Sequence, residues 1–157
     1  MNIKLIAIGK TDNKSLQTLI DDYTKRLSFY IKFDLEIIPD IKNVKNLSES
    51  QQKEKEGELI LSKLTPTDQL ILLDENGITF SSMKFADYLQ KKMNSGVKTL
   101  VFVIGGPYGF SEEVYKKARG KVSLSEMTFS HQMVRLFFIE QLYRGFTILR
   151  NEPYHHQ

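Results

Sequence analysis

The sequence contains no cysteine. That absence excludes disulfide staples, a thiolate nucleophile and every zinc or iron–sulfur site built on cysteine. Histidine is scarce: His131, His155 and His156 are the only three, all near the C-terminus. A transition-metal cage made by protein ligands alone is therefore not expected, and no metal is assigned. No apolar stretch approaches the ~20 residues that span a bilayer. The opening run Ile3–Ile8 is broken by Lys4 and stopped by Gly9, too short for the apolar core of a secretory leader. These features point to a soluble, cytoplasmic protein without a membrane segment. Neither the G-x-x-x-x-G-K-[ST] nor the G-x-G-x-x-G spacing occurs, which counts against a small nucleotide- or flavin-binding protein.

What the sequence does have is the material of a core. Seventeen Phe and Tyr residues and 26% charge exclude a disordered or low-complexity tail. The length of 157 residues fits a single domain, 1–157, able to bury roughly 70% of the surface its unfolded chain exposes. Net charge is +3, and residues 71–157 carry all of the excess, 11 basic against 8 acidic side chains. That asymmetry permits a nucleic-acid partner without demanding one.

Periodicity predicts alternating strands and helices. Strands are read at Ile3–Ile8, Phe33–Ile38, Gln69–Leu73, Thr99–Ile104 and, more weakly, Lys121–Ser125. Asp74–Gly77 is read as the turn that stops the third strand. Helices are read after Asp12–Ser15, from about Ser50 to Leu64, over Ser81–Met93, from Ser111, and from about His131 to Leu149. Nothing resembles a hairpin, so the expected fold is α/β, a parallel sheet flanked by helices. Ligands of such sheets bind beyond the carboxyl ends of the strands. Three loops meet that description: 73–77, 105–110 and 124–130.

Each loop has two readings. Gly105-Gly106-Pro107-Tyr108-Gly109 is either a tight turn needing positive φ or a place where a ligand nears the backbone. Leu124–Phe129 is either an irregular crossover or a stretch whose free backbone groups read the edge of a purine. The tail Asn151–Gln157 is either frayed or, through Pro153-Tyr154-His155, a group suited to a nucleobase. The last helix is apolar around nearly its whole circumference, which favours a homodimer built on it. Glu140 and Arg144 stand at i and i+4 and can pair.

Taken in order, Gly105–Gly109, Leu124–Arg135, Glu140–Phe146 and Pro153-Tyr154-His155 resemble the ribosomal RNA large subunit methyltransferase H family. Gly9-Lys10 and Lys53-Glu54-Lys55-Glu56-Gly57 extend the match over essentially the whole chain. The resemblance implies a SPOUT-class fold with a C-terminal trefoil knot. It also implies methyl transfer from S-adenosylmethionine to N3 of a pseudouridine in helix 69 of 23S rRNA, on assembled ribosomes, by a homodimer. By position, Leu73, Gly105, Leu124, Ser125, Glu126, Met127, Thr128 and Phe129 match the family's cofactor-binding residues. N3 must lose a proton, and the catalytic groups expected to accept it or to stabilise the resulting anion are His155 and Tyr154, from the family's C-terminal Tyr-His. His131 comes next, where a helix start would favour a neutral base. Arg135 and Arg144 are expected to hold phosphates or the developing base anion, with Tyr154 stacking on the base. A catalytically silent RNA-binding module and a methyltransferase of another RNA remain as alternatives.

Overall fold

Each of the five apolar runs becomes a strand of one sheet in the computed structural model, which describes residues 1–156. The strands are β1 (Asn2–Ile8), β2 (Phe33–Ile38), β3 (Asp68–Thr79), β4 (Thr99–Ile104) and β5 (Gly120–Ser123). All pairings are parallel, in the order β2-β1-β4-β3-β5. The helices are α1 (Lys14–Leu27), α2 (Glu49–Ser62), α3 (Ser82–Asn94), α4 (Glu112–Lys117) and α5 (Met133–Leu149), with a 3-10 turn at Val44–Asn46.

Both sheet faces are covered, which is why the central strands read as continuous apolar runs. Leu5, Phe102 and Ile104 face α1, α3 and α5 and pack with Ile20, Leu89, Phe138 and Leu142. Ile6, Leu72 and Val103 face the other way, toward Ile60 of α2 and Val114 of α4. Helix starts are fixed by side chains that accept backbone N–H bonds: Asn13, Ser48, Ser81 and Ser111. Ser48 and Gln51 form a reciprocal capping box. No helix among the described residues is long and apolar enough to cross a membrane.

Two expectations need correcting. The residues read as a turn after Leu73 do not end β3: the strand runs on to Thr79 through an irregularity in register, pairing Ile78 and Thr79 with β5. Gly77 makes this possible, because a Cβ there would lie 2.6 Å from the β5 backbone. Polar residues in an edge pairing hid the continuation. At the other end, α5 begins at Met133, so His131 precedes the helix rather than opening it.

Candidate functional site

The carboxyl ends of β3, β4 and β5 open on a cavity of about 500 Å³, a size usual for small-molecule sites. Leu73 contributes to it from the point where the β3 register breaks, and Ile104 and Val122 from the ends of β4 and β5. The 105–110 loop forms one wall, and Leu124, Ser125, Met127, Thr128 and Phe129 form another. His131 and Val134 line it as the chain enters α5. The topology thus brings together three segments spread between Leu73 and Phe129. Glu126 shares the second wall's backbone but is exposed and does not line the cavity.

The second wall is neither helix nor strand. Its serines shape it: Ser123 Oγ donates to the Ser125 carbonyl at 2.9 Å, and Ser125 Oγ accepts from the Met127 N–H at 3.0 Å. The amides and carbonyls of 124–129 are therefore not consumed by a ladder, and they supply donors and acceptors suited to a heterocycle's edge.

The glycine loop is a tight turn, Gly109 N–H donating to the Gly106 carbonyl at 3.1 Å, and it is also packed from behind. Positive φ occurs at Gly109 and not at Gly105 or Gly106. A Cβ on Gly105 would meet the buried Phe110 ring at 3.1 Å, and one on Gly106 would meet the Glu56 carboxyl at 2.5 Å. The pair is thus imposed by packing behind the wall. Opposite it, Tyr115 donates its hydroxyl to Asp74 at 2.6 Å. Burial, then this bond, pushes Tyr115 up to about 12, so it stays a neutral phenol near pH 7.

Tyr154 and His155 do not line this cavity. They lie along α5 in a polar cluster. Tyr154 donates to Glu140 at 2.9 Å and has its hydroxyl 3.2 Å from that of Tyr23, with its ring edge-on to Tyr143. Burial, followed by the bonds to Tyr23 and Glu140, raises the Tyr154 pKa. Near neutrality Tyr154 is therefore a hydroxyl donor, the form suited to stabilising an anion and not to taking a proton. Arg144 pairs with Glu140 at 2.6 Å, covers the Tyr154 ring at 4.7 Å and lies 3.3 Å from His155 Nδ1. A guanidinium only donates, so that contact requires Nδ1 to accept and leaves the proton on Nε2. With these partners, Arg144 holds the tail instead of standing free for a phosphate.

Arg135 is the second correction. It is 1% exposed, and its guanidinium donates to the carbonyls of Ile8 (2.9 Å), Gly9 (2.7 Å) and His131 (3.0 Å) and to Thr11 Oγ1 (3.2 Å). It clasps the end of β1 to α5 and cannot reach a nucleic-acid backbone. A cation embedded in the apolar text Met133–Phe138 was the available signal for this internal role. Glu56, in the Lys53–Gly57 run that extends the resemblance, is also buried, a position its charge did not announce.

A family described as "Predicted SPOUT methyltransferase" matches residues 1–155. The chain is 92% identical to a Flavobacterium johnsoniae protein named ribosomal RNA large subunit methyltransferase H. Proteins of the same name from Christiangramia forsetii and Phocaeicola vulgatus are 68% and 55% identical. In each case the alignment covers 100% of both chains. On a parallel sheet whose strand ends enclose a backbone-lined cavity, this similarity is decisive: the chain belongs to the SPOUT methyltransferase family.

Proposed function

We propose that this protein is an S-adenosylmethionine-dependent methyltransferase of large-subunit ribosomal RNA, acting on N3 of a pseudouridine. The observation that carries the reading is the convergence of all three strand-end loops on one cavity, in a chain similar along its whole length to proteins bearing that name. The finer features are part of the same proposal: helix 69 of the assembled ribosome as target, a trefoil-knotted C-terminal part, a homodimer and a cytoplasmic location.

The residues suit the donor. A volume of about 500 Å³ accommodates a nucleoside with an amino-acid arm. Main-chain groups of 124–129 can hold the adenine edge, with Leu73 and Leu124 against the ring. No group of three or more potential metal ligands occurs among the described residues. The bound donor supplies an electrophilic methyl on a cationic sulfur. Protein catalysis is then largely positioning, plus handling of the N3 proton.

Two histidines divide that work in our reading. His131, on the cavity lining, takes the proton or passes it to water. His155 presents Nε2–H and donates to a ring oxygen, whose negative charge grows as N3 is deprotonated. Because the tail does not line the cavity of its own subunit, His155 acts at the cavity of a second one. Met133 and Phe137, exposed near the cavity end of α5 with Phe129 packed on Phe137 at 5.1 Å, provide an apolar face for such a dimer. Two subunits also double a basic surface that is modest in one.

The test is transfer of radiolabel from S-adenosylmethionine to ribosomes of a strain lacking the gene, with the label mapped by digestion and mass spectrometry. Label on one pseudouridine of the large-subunit RNA is expected. Donor binding without ribosomal label would redirect the reading to another RNA. No donor binding would leave a silent RNA-binding module.

A further inference from the structure

The Lys53–Gly57 run has no part in the cavity lining, yet two of its residues are buried. On a helix whose other charged groups face solvent, Glu56 is 3% exposed, Gly57 is buried, and Glu56 Oε1 has no hydrogen-bond partner. The reason is what the pair touches. Both Glu56 carboxyl oxygens occupy the space where a side chain on Gly106 would start. Gly57 abuts Ser111, whose side chain caps α4. One turn of α2 therefore backs both ends of the 105–111 segment, and the residues between those ends are the cavity wall.

We propose that Glu56 is a positioning residue of the methyl-donor site, packing its carboxyl against Gly106 so that the 105–111 wall keeps the shape that receives S-adenosylmethionine. This rests on the reading that the cavity is the donor site. Glu56 does so in a setting that favours the uncharged carboxyl. Burial is the main influence raising its pKa; Gln52 on its own helix opposes this, and Asp40 beyond the end of β2 adds to it. The 105–111 segment that covers Glu56 carries no formal charge, its only titratable side chain being the exposed Tyr108. Glu112 and Glu113, where α4 begins, are exposed. On its own helix Lys53, at i−3, is half-buried and Lys55 is exposed, and neither offsets the burial of Glu56. Once charged, the group is driven toward water and the wall loses its backing.

The experiment is calorimetric titration of S-adenosylmethionine into the full-length protein from about pH 5.5 to about pH 9, with thermal melts in parallel. The proteins compared are wild type, Glu56→Gln, Glu56→Ala, Gly106→Ala and the double variant Glu56→Ala/Gly106→Ala. Gly106→Ala alone is expected to weaken binding about ten-fold. Glu56→Ala removes the obstructing carboxyl, so adding Gly106→Ala to it should cost no more than about two-fold. As pH rises, wild-type affinity should fall relative to that of Glu56→Gln, which is of equal size and without a charge; the α-amino group of S-adenosylmethionine titrates alike for both, so the difference between the two profiles is the readout. The proposal is overturned if the two alanine effects simply multiply in folded protein, or if Glu56→Gln reproduces the wild-type pH profile. Should Glu56→Ala melt out, the Glu56→Gln profile decides alone. A failure of the cavity assignment looks different: Gly105→Leu would then leave binding intact, or wild type itself would not bind, and the proposal would fall with it.

Discussion

The cavity and the tail cluster lie at different places along the same helix, α5, and are made in opposite ways. Main chain builds the cavity: the ends of three strands, an irregular stretch and a glycine pair, with side chains serving mostly as apolar lining. Side chains build the tail cluster: Tyr23, Glu140, Arg144, Tyr154 and His155 are joined by hydrogen bonds and an ion pair. A main-chain site tolerates loss of a side chain but not the gain of one. A side-chain cluster shows the reverse sensitivity. The two regions should therefore fail separately, and substitutions can be chosen to test that.

The largest effect should come from the substitution that erases the distinction. Arg135→Met leaves three carbonyls without their donor and frees β1 from α5, so stability should fall by about 3 kcal/mol in urea titrations. Both regions should fail together, and Arg135→Lys should not restore them, since one ammonium cannot span the same acceptors. Gly105→Leu comes next and should strike the cavity hardest. Donor affinity should drop about 100-fold by calorimetry, and the melt should fall modestly as well, because the added side chain meets the buried Phe110 ring. The converse is His155→Ala, expected to lower methyl transfer at least about ten-fold in ribosome assays with donor affinity unchanged. Tyr154→Phe loses the bonds to Glu140 and Tyr23 and should cost about 1 kcal/mol of stability, again sparing the donor.

Alkaline pH gives the mildest probe. Tyr30 donates to Glu152 at the base of the tail, and that bond, followed by burial, pushes Tyr30 up to about 12. A phenol whose pKa is higher folded than unfolded contributes its full stability below about pH 10 and loses it as pH rises toward 12. The urea midpoint should decline over that window, and less so in Tyr30→Phe.

Most of the fold was legible because its signals are local. Alternating apolar runs, serine and asparagine caps and the absence of hairpin turns specify a parallel sheet, and the rule for ligands at strand ends selects the three loops that meet at the cavity. The illegible parts depend on contacts across the sequence. Asp74–Gly77 has turn composition and does leave the ladder, yet Ile78 and Thr79 rejoin a strand more than 40 residues later. Gly105-Gly106 reads as turn or ligand loop, yet Phe110 and Glu56 behind it dictate the glycines. Arg135 reads as a surface cation, and only the fold brings the carbonyls of residues 8 and 9 to it. Tyr154-His155 reads as a terminus, and Glu140 with Arg144 ties it down.

The Arg135 clasp also dictates an order of assembly. β1 is made first and lies in the sheet interior, between β2 and β4, so its second neighbour is not synthesised until residue 99. The carbonyl of Gly9 then waits for a donor 126 positions further along. Contacts of such long range slow folding and postpone it until the chain is nearly whole. Shortening this protein from its C-terminus to a point before residue 135 would leave all five strands but no α5, so one apolar face of the sheet would lie bare, a species prone to associate with its own kind.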